Sequence, residues 1–170
     1  MKFIDPHHDR WQLTAGESDP LPHPRAAAHR LQTLAQWRAV REVWPEALPT
    51  GLLLPNDADV DLLEADLPRL ALIALQFPKW TDGRAYSQAR LLRSRLRYAG
   101  ELRATGEVLV DMLPLLQRTG FDAVLLRADQ SLESAQRALR FFAGHYQGDV
   151  HEPRPLYRRA EAKKAARIVS

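Results

Sequence analysis

The clearest fold signal in the chain is LALIALQFPKWTDGRAYS, from Leu70 to Ser87. It opens with an apolar run, Leu70–Phe77, and continues through a polar loop. Apolar residues then return at helical spacing over residues 85–98. This order predicts a buried strand, a loop and an amphipathic helix. In open α/β folds, ligands commonly bind at such loops because strand ends and helix starts meet there.

The same alternation of strand and helix patterns extends in both directions. Three more apolar runs predict strands, at residues 52–54, 101–104 and 122–127. Three more helical patterns follow them, over residues 60–65, 107–118 and 131–146. Pro114 falls inside the pattern at 107–118 and predicts a kink there. Because alternating strands and helices imply parallel pairing, we expect an α/β fold with a small open parallel sheet of about four βα units.

The two ends of the chain differ from this core, and we expect a single domain over residues 1–150. The stretches 3–4 and 11–13 could pair as a short hairpin, and a helical pattern covers 26–43. Residues 1–50 are therefore predicted to be an irregular and helical lead-in to a βα core at 51–147. Residues 151–170 hold six lysines and arginines against two acids, which predicts a basic tail that is solvated or docks to a partner.

Composition excludes several classes of function. The chain has no cysteine, which rules out disulfides, thiol catalysis and cysteine-ligated iron–sulfur clusters. Its net charge of +3 is concentrated in the tail, so nucleic acid is not an expected partner. No apolar run approaches the roughly 20 residues of a membrane helix, and the start of the chain lacks an apolar leader. We therefore expect no membrane association and a cytoplasmic location.

Metal and nucleotide signatures are weak. Asp5, His7, His8 and Asp9 are possible ligands, but no second cluster with recognised spacing follows them, and no metal is predicted. Neither a dinucleotide-binding glycine pattern nor a P-loop occurs, which leaves the cofactor open.

Cationic and polar residues gather just past the predicted strands. Because parallel strands end at one edge, these residues are expected to share a rim that could hold a phosphate, sulfate or carboxylate. The candidates are Lys79, Asp82, Gly83, Arg84, Arg103, Thr105 and Arg127. In the alternative interpretation, Asp82 or Thr81 caps the helix, Gly83 permits the turn, and the arginines pair with nearby acids. Tyr86, Arg90, Arg93 and Arg97 form a separate stripe on the helix, either a solvated face or a docking surface for an acidic partner.

Three blocks carry a family resemblance: FPKWTDGRAYSQARLLR from Phe77, YAGELRATGEVL from Tyr98 and GFDA from Gly120. They resemble a bacterial family of unknown function whose members are commonly labelled oxidoreductases involved in sulfite reduction. The label follows from genes that tend to lie beside that of the sulfite reductase hemoprotein.

The resemblance covers about residues 50–145. Its most characteristic positions fall on Phe77, Pro78, Asp82, Gly83, Arg84, Ser87, Arg103, Gly106, Gly120 and Asp122. Thr119 stands where family members often carry cysteine, which argues against a shared thiol mechanism.

Two functions follow as expectations. The resemblance implies an accessory protein or oxidoreductase of assimilatory sulfite reduction that docks to a reductase component. The rim residues leave a second possibility, a small α/β enzyme or binding protein for an anionic, sulfate- or phosphate-bearing metabolite gripped by Lys79 and Arg84. Whether the chain is catalytic stays open at this point.

Overall fold

The computed structural model describes residues 1–13, 23–141, 146–155 and 157–158. Seven strands within these ranges form one parallel sheet. They are β1 (Lys2–Phe3), β2 (Gln12–Leu13), β3 (Arg30–Thr33), β4 (Thr50–Leu54), β5 (Leu70–Phe77), β6 (Glu101–Gly106) and β7 (Ala123–Val124). The α/β class and the parallel pairing are thus as predicted, but the sheet is larger than about four units.

The helices lie between and after the strands. They are α1 (Leu34–Val40), α2 (Arg84–Ser94), α3 (Leu113–Thr119) and α4 (Leu132–Arg140). Short 3₁₀ helices cover Val60–Leu63, Leu67–Arg69 and Val110–Met112. Within the described ranges, no helix combines the length and the apolar character needed to cross a membrane.

The order of the strands requires the sheet to curl. From edge to edge the order is β1-β7-β6-β5-β4-β3-β2, so the first two strands of the chain lie at opposite edges. Only residues 4–11 connect them. Eight extended residues reach at most about 28 Å. Since a flat sheet of seven strands is about as wide as that, and the chain must also return to the start of β2, the edges have to approach each other.

The two faces of the sheet are both covered. The helix face carries most of the core, including Ile73, Leu75 and Phe77 of β5. The inner face, on the opposite side, packs Leu72 and Ala74 against Trp11 and Leu31. Strands buried on both faces read as continuous apolar runs, which is why β5 is recognisable in the sequence.

The predicted N-terminal hairpin is wrong, and the lead-in is not irregular throughout. β1 pairs with β7 and β2 pairs with β3, so each short strand extends a different edge of the sheet. The predicted helix at 26–43 is also wrong in its first part, which contains β3. Thr33 ends that strand and caps α1 through a capping box with Gln36. This Thr-x-x-Gln pattern is the signal that could have divided the segment.

Two predicted features differ from the structure, and parts of two others lie outside the described residues. Pro114 does not kink a helix, because it lies in the first turn of α3, where its missing N–H has no helical partner to lose. The ladder of β7 covers only residues 123–124 of the predicted 122–127. Part of the predicted final helix, residues 142–145, and most of the basic tail, residues 156 and 159–170, lie outside the described residues.

Candidate functional site

The loop at residues 78–83 leaves the carboxyl end of β5 and leads into α2. The backbone N–H of Asp82 donates to the carbonyl of Lys79 at 3.0 Å, which closes the turn. On the neighbouring strand, Gly106 has φ +91°, and a Cβ there would lie 2.5 Å from the carbonyl oxygen of Phe77. The N–H of Glu107 donates to that same carbonyl at 2.8 Å. Gly106 therefore holds the end of β6 tightly against the start of the loop.

Asp82 and Arg84 form a bidentate ion pair. The guanidinium donates from Nε to Oδ1 at 3.0 Å and from Nη2 to Oδ2 at 2.7 Å. Asp82 also accepts the backbone N–H of Arg84 at 3.3 Å, although the N-cap position of α2 itself is Gly83. The Arg84 hydrogen bonds hold the pKa of Asp82 well below its ordinary value, and Asp82 in turn raises the pKa of Arg84. The charge of Arg84 is thus largely neutralised by its neighbour.

Gly83 lies between these two residues without needing to be glycine. Its φ of −83° and ψ of 3° are accessible to other residues. A Cβ added at this position would come no closer than 3.6 Å to another side chain, the Tyr86 ring, which is an ordinary contact. The turn at the rim is therefore shaped by Asp82 and by Gly106 on the next strand rather than by Gly83.

Arg127 forms a second neutralised cluster beyond β7. It donates to both carboxylate oxygens of Asp129 at 2.7 Å and to Glu107 at 2.6 Å. Asp129 and Glu107 raise the pKa of Arg127, and Arg127 lowers the pKa of Asp129 to about 2. As at Arg84, local carboxylates satisfy the cation.

Arg103 lies on the inner face and is only 4% exposed. It donates to Glu101 from Nε at 3.1 Å and from Nη2 at 2.8 Å, and its Nη1 donates to Asp9. Thr105, two residues further along β6, has its hydroxyl 3.5 Å from the Leu75 carbonyl. The Arg103 guanidinium therefore joins the connection between β1 and β2 to the middle of the sheet.

Lys79 and Trp80 differ from these arginines because they point to solvent. Trp80 is 57% exposed, and Lys79 is exposed as well. Neither side chain makes an ion pair, hydrogen bond or ring contact with the described part of the chain. Of the predicted rim cations, Lys79 alone is free in that part, whereas Arg84, Arg103 and Arg127 sit in three separate ion-pair clusters. Ligand binding by this set stays a prediction.

A groove at the carboxyl ends of β3, β4 and β5 is absent from the sequence-based predictions. It has a volume of about 560 Å³ and is lined by Thr33, Arg38, Leu53 and Gln76, among others. The guanidinium of Arg38 is exposed and has no ion-pair partner among the described residues. The helical pattern over residues 26–43 hides β3, and a continuous helix there would place Thr33 and Arg38 away from the rim.

The comparison with known families bears on residues 51–157, which match the family described as bacterial protein of unknown function (DUF934). The chain belongs to this family. No curated protein matches the sequence. The family segment includes the rim loop and strands β5 to β7, whereas Asp9, the partner of Arg103, lies outside it. The description of the family names no reaction, ligand or partner.

In this DUF934 protein, three of the possible metal ligands of the N-terminal loop pair with a protein side chain. His8 Nδ1 lies 2.7 Å from Asp5 Oδ2, and this contact lowers the pKa of Asp5. Asp9 pairs with Arg103. Across residues 1–13, 23–141, 146–155 and 157–158, no three carboxylate or imidazole groups converge in a way that could hold a metal ion.

Proposed function

We propose that this chain is a docking component of assimilatory sulfite reduction and that it contacts a reductase partner through Lys79 and Trp80. The observation that carries the proposal is an exposed tryptophan at the end of a buried central strand. Trp80 is 57% exposed, while Phe77, three residues earlier, is fully buried. Tryptophan is among the residues most enriched at the energetic centres of protein interfaces.

The loop is rigid enough to act as an anchor. Its turn is closed by the Asp82–Lys79 hydrogen bond, and the ion pair of Asp82 with Arg84 holds the start of α2. A side chain presented on an ordered loop loses less conformational entropy on binding than one on a floppy segment. Lys79 beside Trp80 adds a charge that favours a partner with an acidic surface around an apolar pocket.

The electrostatics favour docking over catalysis at this rim. Arg84 and Arg127 are each held by local carboxylates, and Arg103 is enclosed on the inner face. A substrate anion would have to compete with those carboxylates for the guanidinium groups. The sulfite-reduction pathway itself rests on the resemblance of the blocks at Phe77, Tyr98 and Gly120.

The test is binding to purified sulfite reductase components. The full chain is immobilised, and the hemoprotein and the reductase's electron-donating subunit are passed over it in biolayer interferometry. Trp80→Ala is compared with Leu62→Ala, which also removes an exposed apolar side chain, 64% exposed, from another surface. We expect Trp80→Ala to weaken binding at least tenfold and Leu62→Ala to change it less than twofold.

Two results would overturn the proposal. The first is the absence of binding to either component at about 50 μM, together with normal growth on sulfate of a strain that lacks the gene. The second is equal binding by wild type and Trp80→Ala, which would leave docking possible but remove it from this loop.

A second candidate function is binding of an anionic metabolite at the rim. The groove lined by Thr33, Arg38, Leu53 and Gln76 favours it, because it lies where α/β proteins commonly bind ligands and contains an unpaired guanidinium. Sulfate, sulfite and a sulfonucleotide should then raise Tm more in wild type than in Arg38→Ala. No shift with any of the three would remove this candidate.

A further inference from the structure

We infer that the protein has a second binding site, at the amino ends of the strands, for a phosphate or sulfate group carried on a planar ring. The site is a cavity of about 650 Å³ between the end of α2 and residues 146–155 together with Tyr157. Because α2 runs back from the rim, its last turn lies at the amino ends of the strands. The cavity is therefore separate from both the Trp80 loop and the Arg38 groove.

The floor of the cavity is built around Arg93. Its guanidinium donates to the carbonyl oxygens of Tyr98 at 2.6 Å, Gly100 at 2.9 Å and Gly120 at 3.0 Å, and it also pairs with Asp122. These four contacts hold together the segments that precede β6 and β7. Arg93 thus supplies a fixed surface rather than a free cation.

One wall is a tight turn over residues 148–152. Asp149 accepts the backbone N–H groups of His151 at 2.9 Å and Glu152 at 2.8 Å. A Cβ on Gly148 would lie 2.1 Å from the carbonyl oxygen of Pro153, so the turn closes only with glycine there. The wall is tied to α3 because the N–H of Val150 donates to the Arg118 carbonyl at 3.3 Å.

Three arginines around this wall lack anionic partners. Arg90 and Arg97 line the cavity, and Arg90 also lines an adjoining space of about 280 Å³ with Arg118. Within the described residues none of the three forms an ion pair, and the buried Nε of Arg118 has no acceptor. Unlike Arg84, Arg103 and Arg127, these cations are not neutralised by any carboxylate in the described part of the chain. An anion that contacts Arg90 and Arg97 in the larger cavity would supply the missing negative charge.

Among the described residues that line the cavity, one is acidic and opposes an anion. Asp149 faces both spaces, but its Oδ1 is already held by two backbone N–H groups of its own turn. Three unpaired guanidinium groups against one engaged carboxylate leave the local charge positive. The balance favours binding of a doubly charged oxyanion such as a phosphate monoester.

Two tyrosines indicate what carries the anion. Tyr146 and Tyr157 both line the cavity, and their ring centroids lie 6.2 Å apart. Both rings are largely exposed, so their faces are available to a planar group. The volume lies within the range of small-molecule sites, roughly 300–1,000 Å³. A ring against the tyrosines would direct its phosphate or sulfate toward Arg90 and Arg97.

The experiment is calorimetric titration of the full chain with 4-nitrophenyl phosphate and 4-nitrophenyl sulfate. Inorganic phosphate and 4-nitrophenol serve as arms that carry the anion alone and the ring alone. We expect a ring-borne anion to bind at least tenfold more tightly than either fragment. The double variant Arg90→Ala/Arg97→Ala, which removes two exposed side chains, should lose at least tenfold in affinity, and Tyr157→Ala should lose affinity as well.

Matched variants make the result decisive. Arg10→Ala removes one exposed arginine that does not line this cavity and should leave the titration unchanged, as should Leu62→Ala. Failure of both ring-borne ligands to bind at 5 mM would overturn the inference, and so would unchanged binding in the Arg90/Arg97 double variant. Inorganic phosphate binding as tightly as 4-nitrophenyl phosphate would overturn the role of the tyrosines. None of these outcomes depends on whether a reductase binds at Trp80.

Discussion

Arg103, in the centre of β6, donates a hydrogen bond to the carboxylate of Asp9, which lies 94 residues earlier in the chain. The contact crosses the inner face and fastens the connection between the two edge strands to the middle of the sheet. Glu101 holds the other side of the same guanidinium. This cluster therefore helps to keep the curled sheet closed on its inner side.

Replacing Arg103 should unfold the protein more easily. Arg103→Met removes the guanidinium, so the mostly buried carboxylate of Asp9 loses its ion-pair partner and that of Glu101 keeps only Lys2, 3.6 Å away. Breaking a buried ion pair by removing one side costs about 3–5 kcal/mol, and we expect a loss near the lower end in urea unfolding followed by tryptophan fluorescence. Arg84→Ala, which breaks an exposed pair, is the control and should move the midpoint little. Equal midpoints for the two variants would contradict the structural role of Arg103.

Substitution by alanine should change stability in opposite directions at Gly83, in the rim loop, and at Gly106, on the neighbouring strand. Gly106→Ala places a side chain at φ +91° and 2.5 Å from the Phe77 carbonyl, so we expect a loss of at least roughly 1–2 kcal/mol. Gly83→Ala meets nothing closer than 3.6 Å at a φ of −83°, and it should be neutral or stabilising by about 0.4–1 kcal/mol. Thermal unfolding of both variants measures the difference. Similar losses in the two would mean that the turn geometry is wrong.

Arg93 should not be replaceable by lysine. A lysine ammonium lacks the planar fork that reaches the carbonyls of Tyr98, Gly100 and Gly120 together with Asp122. Leaving one or two of these acceptors unpaired should cost roughly 2–3 kcal/mol. Arg90→Lys, on the same helix but exposed, should change stability by less than about 0.5 kcal/mol. Urea midpoints test the pair, and a harmless Arg93→Lys would refute the role of the guanidinium.

The Arg127–Asp129 pair should stabilise the protein only at a pH above the range in which Asp129 titrates. Arg127 lowers the pKa of Asp129 to about 2 from an ordinary 3.8. A carboxyl with a lowered folded-state pKa stabilises the protein above the unfolded pKa, and the effect disappears as the pH falls from about 4 to about 2. Wild type should therefore have a higher Tm than Asp129→Asn at pH 6 and an equal one near pH 2.

The control for this pH effect is Asp129→Asn in a protein that lacks the Arg127 guanidinium. In an Arg127→Met background, Asp129→Asn should no longer change the way Tm varies with pH. Because Asp129 is exposed, the effect is small and should shrink as salt is added. A difference in Tm between wild type and Asp129→Asn that persists at pH 2 would contradict the assignment.

Much of the central architecture is predictable because it obeys local rules. β5 is a long apolar run buried on both faces, and α2 follows it with helical spacing. Gly120 ends α3 in the left-handed conformation, with φ +103°, as glycine commonly does after a helical pattern. The edge strands β1 and β2 are not predictable in this way, since two-residue strands have no periodicity and are held only by their neighbours in the sheet.

The α/β class, the parallel pairing of the core and the position of the polar loop after β5 all follow from the amino-acid sequence alone. They depend on hydrophobic patterns and turn residues that act over a few positions along the chain. Which cations are free, in contrast, depends on the tertiary structure. Alternation along β6 turns Arg103 inward to meet Asp9, and Asp82 and Asp129 neutralise Arg84 and Arg127. The distances between charges depend on how distant segments pack, which no local pattern encodes. In the described part of the chain, this packing leaves Lys79, Trp80, Arg38 and the arginines beside residues 146–155 exposed.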